Sequence, residues 1–139
     1  MTVFESKVQR IAYPQESVYR VISDLNNLER IRHRIPSDKI QDFSYDSDSV
    51  TVNVPLVGTV SMRVVVRREP ESVQFQSVQS PVSFNLWVQV MPDDDDGNTS
   101  RVKVSVKADI PFMLAPLVSG PLQDGLDKVV EALSMIHYE

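Results

Sequence analysis

The chain has 139 residues, which is the length of one ordinary domain with a buried core, so we predict a single domain over residues 1–139. Its 14 lysines and arginines stand against 19 aspartates and glutamates, and the resulting net charge of −5 argues against a nucleic-acid partner, which would need a basic face. The absence of cysteine excludes disulfides, thiolate nucleophiles and cysteine-ligated metals.

The N-terminal part of the sequence predicts a strand followed by two short helices. Polar and apolar residues alternate over residues 3–12, which is typical of a half-buried strand and places Arg10 on the same face as Phe4 and Val8. Apolar residues then recur at helical spacing after Pro14, and a second helical pattern runs up to Pro36. The first residues lack the apolar core of a signal peptide, so we expect a cytoplasmic location.

The middle of the chain predicts antiparallel strands. Between residues 40 and 110, short alternating segments are separated by turn residues, which indicates about six strands joined as hairpins. The alternation is clearest over residues 101–110. There we expect the apolar side chains to face the core and the lysines to face water. The predicted inward residues are Val102, Val104, Val106 and Ala108, and the predicted outward residues are Lys103 and Lys107.

The C-terminal part predicts one long helix. Apolar residues recur at helical spacing from Leu114 to Ile136, and Leu126, Val129 and Leu133 lie on this stripe. Gly120-Pro121 predicts a kink or break in the first third of the helix. The predicted fold class is therefore α+β, with a curved antiparallel sheet of about seven strands wrapped around the C-terminal helix, and two short helices after the first strand.

The order of these elements resembles the START-like helix-grip superfamily. Members often read apolar-any-Ala-Pro before the first helix and Leu-any-Asp at its end; here Tyr13 separates Ala12 from Pro14, and residues 22–24 read Ile-Ser-Asp. The chain looks most similar to the polyketide cyclase/dehydrase and lipid-transport group. Residues 35–36, 54–60 and 64–66 are also similar to the accessory G subunit of carbon monoxide dehydrogenase. The resemblance implies a cavity between sheet and helix that holds an apolar or amphipathic small molecule.

The sequence carries no motif for metal, cofactor or nucleophilic chemistry. His33 and His137 lie in different predicted elements, and the four glycines are too widely spaced for a phosphate loop. The run Asp93 to Asp96 lacks the alternating ligands and downstream glutamate of a calcium loop, so we interpret it as a solvated hairpin tip. We predict neither a metal site nor a cofactor.

Small β-branched residues dominate the predicted inward face of the sheet, which leaves room for a ligand. For each large inward side chain, a place in a packed core is the alternative. For Arg10, the alternatives are a strand-end arginine that reaches water and an arginine that steers the acidic group of a ligand. The predicted ligand-binding residues are Met62, Phe75, Phe84, Leu86, Val88, Val104, Leu114, Val118 and Arg10.

The leading functional hypothesis is the binding or carrying of a hydrophobic small molecule such as a lipid, an isoprenoid or a polyketide-like compound. A cyclase- or dehydratase-like enzyme that uses the same cavity is one alternative, and it needs a titratable group facing the ligand. Asp42 and Tyr45 are candidates that fall on opposite faces of one strand. An accessory subunit that contacts a protein partner through Arg30, Arg32 and Arg34 is the other alternative. The longest apolar stretch is too short to span a bilayer, so we predict no integral membrane insertion.

Overall fold

The structure is a computed structural model, and it describes residues 2–30, 41–54, 58–93, 98–136 and 138. The side chains of residues 28, 30, 41–43, 54, 118 and 121 lie outside this description. The elements in chain order are β1 (Thr2–Glu5), β2 (Gln9–Ile11), α1 (Gln15–Ile22), a 3₁₀ helix (Leu25–Arg30), β3 (Gln41–Tyr45), β4 (Ser49–Val54), β5 (Gly58–Arg68), β6 (Ser72–Gln79), β7 (Phe84–Pro92), β8 (Ser100–Ala108) and α2 (Ala115–Leu133).

All of these strands belong to one antiparallel sheet. Its order is β1-β8-β7-β6-β5-β4-β3, and β2 also pairs with β8. Helix α2 packs against β1, β2 and β8, whereas α1 packs against β7 and β8. The predicted helix-grip fold class is confirmed, because a long C-terminal helix lies on an antiparallel sheet and short helical segments follow the first strands.

The predicted first strand is interrupted, and the interruption corrects the placement of Arg10. The backbone N–H of Ser6 donates to the carbonyl of Val104 at 2.8 Å, and the Ser6 hydroxyl accepts the N–H of Val104 at 2.9 Å. The hydroxyl thus takes a place that a backbone carbonyl holds in a regular ladder, and the alternation of side chains changes after it. Val8 is half exposed, Ile11 is buried and the Arg10 side chain is exposed. The prediction that Arg10 shares a face with Phe4 is wrong.

Of the kink or break predicted in α2, the break is wrong, because the helix is continuous through Gly120 and Pro121, and the kink stays a prediction. Proline lacks the N–H that would bond to the carbonyl of Leu117, so the helix loses a single hydrogen bond there. Leu117 is exposed, and water can satisfy its carbonyl.

The two predicted packing faces are confirmed. Val102, Val104, Val106 and Ala108 of β8 are buried, whereas Lys107 is exposed and Lys103 is partly exposed. On α2, Leu126 and Leu133 are buried, and the partly buried Val129 packs against the same cluster. The core beneath α2 therefore follows from uninterrupted periodicity in both elements.

The second predicted helix is a 3₁₀ helix in its described part. The Asn27 amide donates to the carbonyl of Val21 at 2.9 Å and to that of Asp24 at 3.1 Å, and the Asp24 carboxylate accepts the N–H of Asn26 at 3.0 Å. The same two carbonyls also accept the backbone N–H groups of Asp24 and Asn27, at 3.4 and 3.0 Å, and together these bonds stabilise the turn in which α1 ends. The predicted extension to Pro36 lies outside the described residues.

Candidate functional site

The strand register places most of the predicted ligand-binding residues on one face of the sheet. Leu86 and Val88 of β7 stand opposite Val106 and Val104 of β8, and Phe75 of β6 stands opposite Leu86. Because opposed side chains in an antiparallel pair point to the same side, they form one inner face beneath the helices. The predicted residues on this face are Met62, Phe75, Phe84, Leu86, Val88 and Val104.

These residues differ in how completely they are covered. Val104 is buried in the cluster beneath α2, and Phe75 is buried in a second cluster with Tyr19 of α1 and Leu25 of the 3₁₀ helix. Leu86 and Val88 pack against both clusters yet stay partly exposed. We name the partly exposed aliphatic and phenylalanine residues of the inner face that pack against either cluster the apolar strip. Its members are Val52, Met62, Val64, Phe84, Leu86 and Val88.

The apolar strip follows from the uneven placement of the helices. Helix α2 packs on the edge of the sheet formed by β1, β2 and β8, and α1 packs on β7 and β8. The second cluster, which α1 and the 3₁₀ helix join, includes Val50 and Val73 of the sheet. The inner face outside these two packed regions therefore carries apolar side chains that remain accessible to a small apolar molecule.

Two predicted lining residues do not join this arrangement. Leu114 immediately precedes α2 and is 43% exposed, so it does not lie under the cover of the helix as predicted. The side chain of Val118 lies outside the described part of the structure. Its contribution to a ligand site stays a prediction.

Arg67 is a residue of the inner face, although strict alternation along β5 would place it on the outer face. The pairing of β5 with β6 shifts between Val64 and Val66, so that Arg67 stands opposite Val73. Its guanidinium donates to the carbonyls of Ser23 at 3.1 Å and Ser47 at 3.2 Å, and to the Asp48 carboxylate at 2.7 Å. Arg67 thereby ties the end of α1 to the turn between β3 and β4. The run of three valines before it gave no signal of this bulge.

The phenol of Tyr19 in α1 is affected by charged groups at the same end of the sheet. Burial raises the pKa of the Tyr19 phenol, the nearby Glu69 carboxylate raises it further, and Arg67 opposes the increase. The phenol is therefore neutral at pH 7, and Tyr19 serves the second cluster as a packing residue.

Tyr45 brings a titratable group to the inner face. It pairs with the buried Val50, packs against the second cluster, and donates its phenol proton to the carboxylate of Glu29 in the 3₁₀ helix. The sequence analysis placed Tyr45 and Asp42 on opposite faces. The structure describes the backbone of Asp42 but not its side chain. Of the two candidates, Tyr45 is thus the one whose side chain the structure describes.

Arg10 pairs with Asp93 at the end of the sheet, where β7 ends. Its Nε lies 2.8 Å from one carboxylate oxygen of Asp93, Arg101 donates to the other, and the Thr99 hydroxyl donates at 3.3 Å. This placement is one of the two alternatives that the sequence left open, a strand-end arginine, and it directs Arg10 away from the apolar strip. Residues 94–97 of the predicted hairpin tip lie outside the described structure.

The pairing of Asp93 predicts a pH dependence of stability. Hydrogen bonds from Arg101 are the largest cause that lowers the pKa of Asp93, and those from Arg10 and Thr99 add to it. A lowered folded-state pKa means that the stabilisation is complete above the unfolded-state pKa of about 3.9 and is lost as the pH falls through the folded-state value. We expect Asp93→Asn to unfold at lower temperature than the wild type at pH 6, and the difference to shrink below pH 4.

The control for this experiment is Arg101→Gln, which removes the largest cause of the shift. We expect the pH dependence attributable to Asp93 to be smaller in that background when thermal unfolding is followed by circular dichroism. If the wild type and the Asp93→Asn variant differ equally at pH 3 and pH 6, the prediction is contradicted.

A separate open cleft of about 310 Å³ lies where the turn between β5 and β6 meets the end of β7. Gln15 crosses it and donates to the carbonyl of Val90 at 2.9 Å. The sequence did not single out its residues, and none of them belongs to the apolar strip. Its lining consists of Gln15, Arg68, Glu71, Ser72, Gln89, Val90, Met91 and Pro92.

The structure does not describe the side chains of the other arginines and histidines that the sequence analysis considered. Arg30 ends the 3₁₀ helix, but its side chain is outside the description, as are Arg32, Arg34, His33 and His137. Within the described residues, no three histidine or acidic side chains are grouped so that they could hold a metal ion. In the same part of the chain, no helix is both long and apolar enough to cross a membrane.

Comparison with known proteins identifies one family. The family model described as polyketide cyclase / dehydrase and lipid transport matches residues 1–134. A search of curated protein sequences finds no match. The similarity to an accessory protein of carbon monoxide dehydrogenase stays a prediction.

Several solved structures are similar to this one. Norcoclaurine synthase from Thalictrum flavum, in complex with dopamine and hydroxybenzaldehyde, is 13% identical with a TM-score of 0.72, covering 96% of this chain and 84% of that chain. A START superfamily protein from Mycobacterium smegmatis is 12% identical with a TM-score of 0.67, covering 95% and 94%. A protein from Thermus thermophilus is 16% identical with a TM-score of 0.66, covering 96% and 94%. At these identities the likeness shows the shared fold alone.

Proposed function

Because the chain belongs to the polyketide cyclase/dehydrase and lipid transport family, we propose that it binds a hydrophobic small molecule of the lipid, isoprenoid or polyketide class on the inner face of its sheet. The ligand would lie along the apolar strip, beside Phe75 and Val104 on the same face. Binding of this kind needs an apolar surface that is held in place before the ligand arrives.

The apolar strip is the observation that carries the proposal. Met62, Phe84, Leu86 and Val88 are partly exposed although they lie on the face that the helices cover. Apolar side chains on the inner face of a sheet are normally covered by the opposing layer, because their exposure to water costs roughly 25 cal/mol for each Å². A bound apolar molecule would complete that layer.

The well-packed surroundings of the apolar strip favour its interpretation as a ligand-binding surface over its interpretation as an incompletely packed core. The strip joins the two packed clusters through Leu86 and Val88, and both clusters contain side chains with almost no exposure, such as Val73 and Val130. A ligand would therefore contact side chains whose positions are already fixed, and binding would cost little ordering of the protein.

The variant Val88→Phe tests the proposal by filling the strip. The larger ring would occupy space next to Leu86 and Phe75, so we expect it to weaken the binding of a fluorescent fatty acid about tenfold, a loss that corresponds to about 1.4 kcal/mol. The measurement is a fluorescence titration in buffer without vesicles. Val104→Phe is unsuited to this test, because Val104 is buried beneath α2 and a larger residue there would overpack the core.

The matched control is Gln89→Phe, which adds the same ring to the opposite face of the same strand. Gln89 stands opposite Lys103 on the outer face, so we expect unchanged affinity. Native mass spectrometry of the gently purified protein would identify a retained ligand. If the wild type binds no apolar probe, or if both variants bind equally, the proposal fails.

A further inference from the structure

Four apolar side chains project from one end of the molecule, where β8 leads into α2. Phe112 is 92% exposed, Met113 84%, Leu117 70% and Leu114 43%. We name these four residues the apolar tip. The turn that carries them is ordered by bonds from the N–H groups of Leu114 and Ala115 to the carbonyl of Pro111, at 2.9 and 3.2 Å.

We propose that the apolar tip inserts shallowly into a zwitterionic lipid surface. The tip is a protruding turn followed by the first turn of a helix, and such a convex apolar surface can enter the boundary between headgroups and acyl chains without a complementary groove. The proposal is independent of ligand binding, although it would give a carrier of lipids a place to exchange its cargo.

The charge distribution favours a neutral lipid surface as the partner. Residues 110–123 contain no charged side chain; Lys107 and Asp109 precede this segment and Asp124 follows it. The tip can therefore leave water without stripping the solvent from a charge. The net charge of −5 would oppose approach to an anionic surface, so the interaction should rest on apolar burial.

The orientation of the fold agrees with this partner. The bond from the N–H of Asp109 to the carbonyl of Ser83 places the apolar tip beside the turn between β6 and β7. Three further turns, between β3 and β4, β5 and β6, and β7 and β8, lie at the opposite end of the strands. That end carries the acidic residues Asp46, Asp48, Glu69, Glu71 and Asp93, which would point away from the lipid.

The size of the apolar tip argues against a second copy of the chain as the occupant. Its four side chains expose on the order of 500 Å² of apolar surface, which is comparable with the largest apolar patch on a typical monomer. A stable dimer buries about 800 Å² on each partner, and the tip alone falls short of that.

The test uses flotation of the full chain with phosphatidylcholine vesicles. We expect the wild type to float with the vesicles and Phe112→Ser/Met113→Ser to lose at least about tenfold in apparent affinity, because two large apolar groups no longer enter the lipid. Both residues are exposed, so the variant should keep the thermal stability of the wild type. Met135→Ser is the matched control, since Met135 is 54% exposed near the other end of α2.

The outcomes separate this proposal from ligand binding. A wild type that binds the fluorescent fatty acid in solution but does not float would overturn the membrane proposal and leave the proposed function standing. A wild type that floats with the vesicles but binds no fluorescent fatty acid would overturn the proposed function and support the membrane proposal. Equal flotation of the wild type and the tip variant, or a dimer in light scattering that the tip variant abolishes, would also overturn membrane docking.

Discussion

Leu133→Ala is expected to lower the free energy of unfolding by about 2–5 kcal/mol. Leu133 is 8% exposed and lies in the last turn of α2, within the cluster that includes Val130 and Leu126. Truncation removes apolar contacts and leaves a cavity between the helix and the sheet, and the packed neighbours can fill it only in part. Urea unfolding followed by circular dichroism measures the loss.

The same helix offers the control for this prediction. Leu117→Ala removes the same atoms from a side chain that is 70% exposed, so we expect a change within about 0.5 kcal/mol. Equal losses for the two variants would mean that α2 does not pack on the sheet as described. The pair therefore tests the helix-grip arrangement itself.

The parts of the fold that could be predicted are those with unbroken periodicity. Strand β8 alternates over its whole length, and no bulge interrupts its pairing with β7. The buried stripe of α2 was likewise predictable, because Gly120-Pro121 removes one hydrogen bond without ending the helix. In both elements the hydrophobic periodicity of the sequence identifies the face that tertiary packing buries, so the prediction and the structure agree.

Within the strands, strict alternation fails where one extra residue changes the face of the strand. The irregularity at Ser6 turned Arg10 outward, and the shift after Val64 turned Arg67 inward. Neither position carries a glycine or proline that would announce a bulge. Because side chains alternate with a period of two, one unrecognised bulge reverses every later assignment in that strand.

The sequence predicted which residues of the candidate site share one face of the sheet, but it did not predict which of them the helices cover. The alternation of β6 and β7 placed Phe75, Leu86 and Val88 together, as the register shows. Which of these residues are covered depends on where the helices rest, and that is a property of tertiary packing. The exposure of Phe112 and Met113 was hidden for the same reason, since an apolar residue ahead of a helix predicts burial as readily as projection into water.

Tyr138 is a core residue that lies beyond the periodic part of α2 and was not recognised in the sequence. It is 2% exposed, its ring meets that of Tyr13 edge to face with centroids 5.6 Å apart, and its hydroxyl donates to the carbonyl of Leu133 at 2.5 Å. The last carbonyls of a helix lack partners within the helix, so the hydroxyl stabilises the end of α2 while the ring extends the core.

We expect Tyr138→Ala to cost about 3–5 kcal/mol of unfolding free energy, as for other large aromatic residues truncated in a core. Tyr138→Phe keeps the ring and removes only the bond to Leu133, so its cost should be about 1 kcal/mol. The difference between the two variants measures the ring's packing against Tyr13 and the cluster. Because the side chains of Tyr138 and Leu133 belong to the same buried cluster, the double variant Tyr138→Ala/Leu133→Ala should lose less than the sum of the single losses. Additive losses in urea unfolding would contradict this coupling between the two side chains.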